Sequence, residues 1–179
     1  MHYRSEILPA QPNISGSLGM NFIASKALVH RDLATRNILL CNSNVAKISD
    51  FGLCCKCDET TFTYQANLKK KLPIKWLSIE ALTYHLFSEK SDVWSFGILI
   101  YEVFTFGRIP YTTMNHDEVL TFLQEGKRLD RPENMAEEIY EICRRCWEER
   151  LENRPRFVEV EENFHEILER ETESYGYLT

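Results

Sequence analysis

Three oxygen-bearing side chains could do chemistry, two of them, Asn37 and Asp50, as ligands of a hard cation. Asp32 and Asn37 lie in the run His30-Arg31-Asp32-Leu33-Ala34-Thr35-Arg36-Asn37, and Asp50 opens Asp50-Phe51-Gly52, 18 residues after Asp32. Carboxylate and carboxamide oxygens are ligands of the kind Mg2+ prefers. A third short motif, Ser91-Asp92-Val93-Trp94-Ser95-Phe96-Gly97, follows later in the chain. A lone Asp is most often a turn or cap residue, so each motif is weak by itself. Their order is what gives them weight.

The elements around these motifs read as mostly α with one small β-hairpin. Met20 to Lys26 looks like the end of a helix, with Leu18, Phe22 and Ile23 on one side. Ile38–Cys41 and Val45–Ser49 are short apolar strands around Asn42-Ser43-Asn44, a plausible turn. They would fix the separation of Asn37 and Asp50. Residues 50–80 carry little periodicity and read as a long loop, a feature that is usually functional in a compact domain.

From Ser91 the pattern is helical and apolar all round, the mark of a buried helix. Asn115-His116-Asp117-Glu118 reads as a capping box, and Gly126 closes the helix that it opens. Ile139, Ile142, Cys143, Cys146 and Trp147 mark another helix. Phe157, Val160, Phe164, Ile167 and Leu168 mark the last, with Pro155 in its first turn.

Composition narrows the function classes. The 179 residues are 44% hydrophobic and 27% charged, with a net charge of −6. The acidic balance argues against a nucleic-acid binder. Residues 1–18 have no apolar run and do not read as a signal peptide. Val93 to Phe106 is too short for a bilayer, which needs about 20 residues, and contains Glu102. No membrane contact is expected from the chain itself. The six cysteines suit a reducing, cytoplasmic setting. Cys143 and Cys146 have the C-x-x-C spacing of zinc sites, yet i and i+3 on a helix is also ordinary core spacing.

In order and spacing, the three motifs resemble the C-terminal lobe of a protein tyrosine kinase, the receptor type above all, from about Gly19 to about Glu169. The resemblance implies ATP and Mg2+ as cofactors and protein tyrosines as substrates, at the cytoplasmic side of a membrane if the parent is a receptor. It implies that Asp32 accepts the substrate hydroxyl's proton, and that Asn37 and Asp50 hold the metal and the nucleotide. Serine kinases place a Lys two residues after that Asp. Here Ala34 stands there, with Arg36 four residues on, as in tyrosine kinases. Pro73, Ile74, Lys75 and Trp76 match the platform that receives a substrate tyrosine.

The same resemblance makes residues 28–37 a catalytic loop and 50–80 an activation loop. Tyr64 would be its regulatory tyrosine. A phosphate there adds roughly −2 in charge and could pair with Arg31 or with Lys69, Lys70 or Lys71. His30, Asp92, Glu80 and Arg154 would be structural anchors, with Asp92 on the catalytic-loop backbone and Glu80 paired to Arg154. Two departures stand out. Ser78-Ile79-Glu80 replaces Ala-Pro-Glu, and Cys54-Cys55 then Lys56 replaces the frequent Ala-Arg after Asp50-Phe51-Gly52-Leu53.

No G-x-G-x-x-G is present, and the only Lys ahead of Asp32 is Lys26. The N-terminal lobe therefore reads as missing, with residues 1–18 an irregular segment, 19–170 the lobe and 171–179 a tail. Two classes follow: the catalytic half of a tyrosine kinase, or an inactive kinase fragment acting as scaffold, decoy or inhibitor. Tyr175 and Tyr177 would suit a phosphotyrosine-reading partner, or they simply lie in a frayed terminus.

Overall fold

The computed structural model describes residues 16–41, 45–67 and 71–174. The architecture is built around α3 (Glu89–Phe104). Ser88 caps it through a capping box with Ser91, and the side chains on every face of it are buried. Such a helix cannot be an edge element, so the others pack around it. In α5 (Glu137–Cys146), Ile139, Ile142, Cys143 and Cys146 form the buried stripe. In α6 (Phe157–Ser174) the stripe is Phe157, Val160, Phe164 and Ile167. Phe96 of α3 meets Phe157 and Phe164 edge-on, at 5.7 and 6.4 Å between ring centroids.

α3 and α5 approach closely because residue 97 is glycine. A Cβ there would lie 2.6 Å from Trp147 Nε1 and 2.8 Å from Cys146 Cβ. α4 (His116–Gln124) opens as the sequence indicates. The Asn115 side chain accepts from the backbone of Asp117 and Glu118, and Glu118 bonds back to Asn115 N–H. Gly126, at φ +78°, follows its end. Pro155 stands before α6 rather than within its first turn.

α1, described over residues 16–25, buries Met20 and Ile23. This corrects the expected stripe, because Leu18 and Phe22 point outward and Lys26 sits over the Phe22 ring at 5.3 Å. Gly19 packs on Ile48, where an added Cβ would lie 2.9 Å from Ile48 Cδ1. α1 is already helical at residue 16, inside the segment read as irregular.

The expected hairpin pairs β2 (Ile38–Cys41) with β3 (Val45–Ile48), in a register that sets Ile38 opposite Ile48. Its turn lies outside the described residues. Two further ladders were not foreseen. β1 (Leu28–Val29) pairs with β4 (Cys55–Lys56), and β5 (Tyr64–Gln65) pairs with β6 (Leu86–Phe87), which follows α2 (Ile79–Tyr84). Each has two residues per strand, too few to print a periodicity. Residues 50–80 are thus an ordered connection over much of their described length, held by Val29, Cys57, Leu77, Ala81 and Phe87 in a second, small core.

Candidate active site

The loop from His30 to Asn37 hangs from the first turn of α3. Asp92 Oδ2 accepts the His30 backbone N–H at 2.6 Å, and Asp92 Oδ1 accepts that of Arg31 at 3.0 Å. This clamp holds Arg31 at φ +67°, a left-handed conformation unfavourable for a bulky residue. Asp92 is fully enclosed, and burial raises its pKa to about 7 against the pull of the two N–H groups. The His30 ring is also buried and its pKa is lowered by that burial. Nε2 faces the Ser49 carbonyl at 3.1 Å, while Nδ1 accepts the Asp32 N–H at 3.4 Å. That network assigns a neutral ring with its proton on Nε2. Phe51 packs edge-on against it at 5.0 Å.

Asp32 projects from this loop and forms an ion pair with Arg36. The Arg36 guanidinium lies 4.5 Å from the centroid of the Trp76 ring. Asn37 ends the 3-10 turn Thr35–Asn37 and donates Nδ2 to the Asp32 carbonyl at 2.7 Å, so its amide oxygen remains as a ligand atom. The Asn37 carbonyl accepts both Ser49 N–H and Ser49 Oγ, at 2.9 and 2.8 Å. The β2–β3 register therefore brings Asn37 and Asp50 to one end of the hairpin. Asp50 is exposed, sits at φ +58°, and accepts Gly52 N–H on Oδ1. Two oxygen donors at one hairpin end fit a hard divalent cation.

The platform residues split. Trp76 stacks on Arg36 as above, and Lys75 donates to the Tyr111 carbonyl at 2.6 Å. Pro73 precedes the 3-10 turn Ile74–Trp76 and Ile74 opens it, and among the described residues neither bonds to the loop. Arg31 points away from Asp32. Its Nε donates to the Leu53 carbonyl at 2.7 Å, and its guanidinium lies between the rings of Tyr64 and Phe87, at 4.9 and 5.2 Å. The Tyr64 hydroxyl meets the Cys55 thiol, which raises its pKa. Lys56 pairs with Glu59 on the surface at 2.7 Å. Lys71 is exposed, while Lys69 and Lys70, like Tyr175 and Tyr177, lie outside the described residues. Glu80 joins Arg154 rather than the loop. The altered Ser78 starts α2 without a side-chain cap, and its buried hydroxyl has no partner among the described residues.

Two residues of this site escaped sequence reasoning. Phe87 supplies the second face for Arg31, from a strand too short to see. Glu102 accepts from Thr35 and Trp76 inside α3. It left a signal: a carboxyl in a helix apolar on every side must find donors.

The family model for protein tyrosine and serine/threonine kinases matches residues 11–164. The chain is 47% identical over 161 residues to a Caenorhabditis elegans protein that carries the name of a tyrosine-protein kinase, covering 90% of this chain and 18% of that one. It is 41% identical over 152 residues to the Drosophila melanogaster fibroblast growth factor receptor homolog 1, covering 84% of this chain and 21% of that one. It is 42% identical over 145 residues to the Gallus gallus tyrosine-protein kinase SYK, covering 81% and 24%. The chain thus spans about a fifth of the length of these relatives.

Proposed function

The chain belongs to the protein tyrosine and serine/threonine kinase family, and from that premise we propose that it is the C-terminal lobe of a receptor-type tyrosine kinase, the half that orients the substrate hydroxyl. The observation that carries this reading is Asp32. It is held at the loop tip by its carbonyl on Asn37 and its carboxyl on Arg36, with Trp76 beneath. From there Asp32 accepts the proton of a tyrosine hydroxyl laid along the 73–76 platform. Bound Mg–ATP would supply the transferable phosphoryl group, with Asn37 and Asp50 as the metal's oxygen ligands. Arg36 then steadies the Asp32 carboxylate without taking its proton, because a guanidinium stays charged at any working pH.

A second reading applies to the 179 residues by themselves. They hold no G-x-G-x-x-G, and the only Lys ahead of Asp32 is Lys26. Positioning and charge stabilisation supply nearly all of this catalysis, so the isolated region acts as a binding module. Among the described residues no helix is long and apolar enough to cross a membrane.

The test begins with the native protein, captured by an antibody to residues 165–179 and weighed intact. It is then given Mg–ATP and a tyrosine copolymer, beside its Asp32→Asn variant. Phosphotyrosine that disappears in the variant supports the catalytic reading. Turnover that survives Asp32→Asn overturns it. A native mass near 21.1 kDa with no turnover leaves the binding module.

A further inference from the structure

Glu102 is only 4% exposed, in the last turn of a helix whose other buried side chains are nearly all apolar or small. Its Oε2 accepts the Thr35 backbone N–H at 3.0 Å and the Trp76 indole N–H at 2.9 Å. Its Oε1 accepts the Thr35 hydroxyl at 3.0 Å. The donors come from two segments, 67 and 26 residues away in sequence. Stability alone gives little reason for a carboxyl here, since an apolar side chain of similar volume usually serves a buried site as well or better. What an apolar side chain cannot do is gather three donors onto one point.

Both bonded segments lead to Asp32. Thr35 opens the 3-10 turn that carries Arg36 and Asn37, and Asn37 holds the Asp32 carbonyl. Trp76 is fixed at its indole N–H by Glu102 and at its carbonyl by Ser95 Oγ, 2.7 Å away. Its ring is then presented flat to Arg36, which in turn meets the Asp32 carboxyl. A guanidinium laid over an indole face gains a cation–π attraction and loses freedom to swing. Releasing Glu102 would free both supports together.

We infer that Glu102 is a positioning residue. It ties the catalytic loop to the substrate platform and so fixes Arg36, and through it Asp32, in register with an incoming hydroxyl. This rests on the role proposed for Asp32, but it is a statement about geometry and is tested without turnover.

The experiment is NMR on the 179-residue chain. The readouts are the Arg36 Nε–H resonance, shifted by the Trp76 ring current, and the exchange rate of the Thr35 amide. Glu102→Met fills the space and removes the acceptors. The Arg36 resonance should move to its random-coil position, and Thr35 exchange should rise at least tenfold. Glu102→Gln keeps a carbonyl for the two N–H donors and an amide that the Thr35 hydroxyl can accept, so both readouts should stay close to the parent. Glu102→Asp, shorter by one methylene, should fall between, and it decides the matter if the Met variant does not fold. An Arg36 resonance unmoved in folded Glu102→Met, or in Glu102→Asp if the Met variant does not fold, overturns the inference, whatever the melting temperature does. So does a Gln variant as perturbed as Met. Failure of the Asp32→Asn activity test would leave these readouts untouched, and their failure would leave that test standing.

Discussion

Arg154 grips Glu80 with two parallel hydrogen bonds, Nη1 to Oε1 at 2.7 Å and Nη2 to Oε2 at 3.2 Å, across 74 residues of chain. The same guanidinium donates to the carbonyls of Glu148 and Lys90 and lies 5.0 Å from the Trp94 ring centroid, with Arg128 over that ring at 4.9 Å. Arg154→Ala strands a buried carboxyl and two carbonyl acceptors. The expected loss is roughly 3–5 kcal/mol of stability, read from urea unfolding. An unchanged midpoint would reject the pair as an anchor.

Asp92 makes stability depend on pH. Burial raises it from an ordinary 3.8 to about 7. The folded chain keeps a proton that the unfolded chain has lost, so this contribution is full below about pH 4 and is lost as pH rises toward about 7. His30, lowered by burial, acts with the opposite sign, so the comparison is made against Asp92→Asn. The stability of the parent minus that of the variant should fall between about pH 4 and pH 7, by at most ~1.4 kcal/mol per pH unit. Urea midpoints across that range decide it. A flat difference would mean that Asp92 does not titrate there.

Gly97→Ala sets two effects against each other. Ala gains about 0.5–1 kcal/mol over Gly in a helix interior. The added methyl meets Trp147 and Cys146 well inside contact distance. Overpacking of this kind costs about 1–3 kcal/mol, so the variant should melt lower than the parent. A higher melting temperature would show that α3 and α5 can separate cheaply.

The cysteines should divide by reactivity. Cys41 is exposed, whereas Cys57, Cys143 and Cys146 are buried. Burial raises the Cys57 thiol to about 11 and that of Cys146 to about 12. A thiol reagent at mildly alkaline pH should label Cys41 quickly and these three only after unfolding. Zinc analysis of the same sample should give a metal-to-protein ratio near zero. Fast native labelling of Cys143 would show that its thiol is not buried, and one zinc per chain would revive the metal reading.

Legibility followed length and periodicity. α3 to α6 carry stripes long enough to announce themselves, and the Asn115 capping box marked its helix within a residue. β1, β4, β5 and β6 hold two residues each, and their pairing is decided by the small core around Phe87 rather than by local pattern. α1 misled because Leu18 and Phe22 are as apolar as Met20 and Ile23, the residues that it buries, and Gly19 rather than Leu18 faces Ile48. At the site, Asp32, Asn37 and Asp50 stood out through their spacing. Of their supports, Asp92 was legible through the resemblance and Glu102 was not, since Glu102 and Thr35 meet across 67 residues and no local rule links them.

That separation says something about how the loop comes into being during folding. The bonds that shape it reach forward 62 residues to Asp92 and 67 to Glu102. Loop closure over such lengths must precede any reward from the contacts themselves. On a ribosome, residues 28–37 would emerge without a template and stay shapeless until α3 had been made. A premature stop before Glu89 would therefore leave the loop without Asp92 and Glu102, while one after Phe104 would supply both.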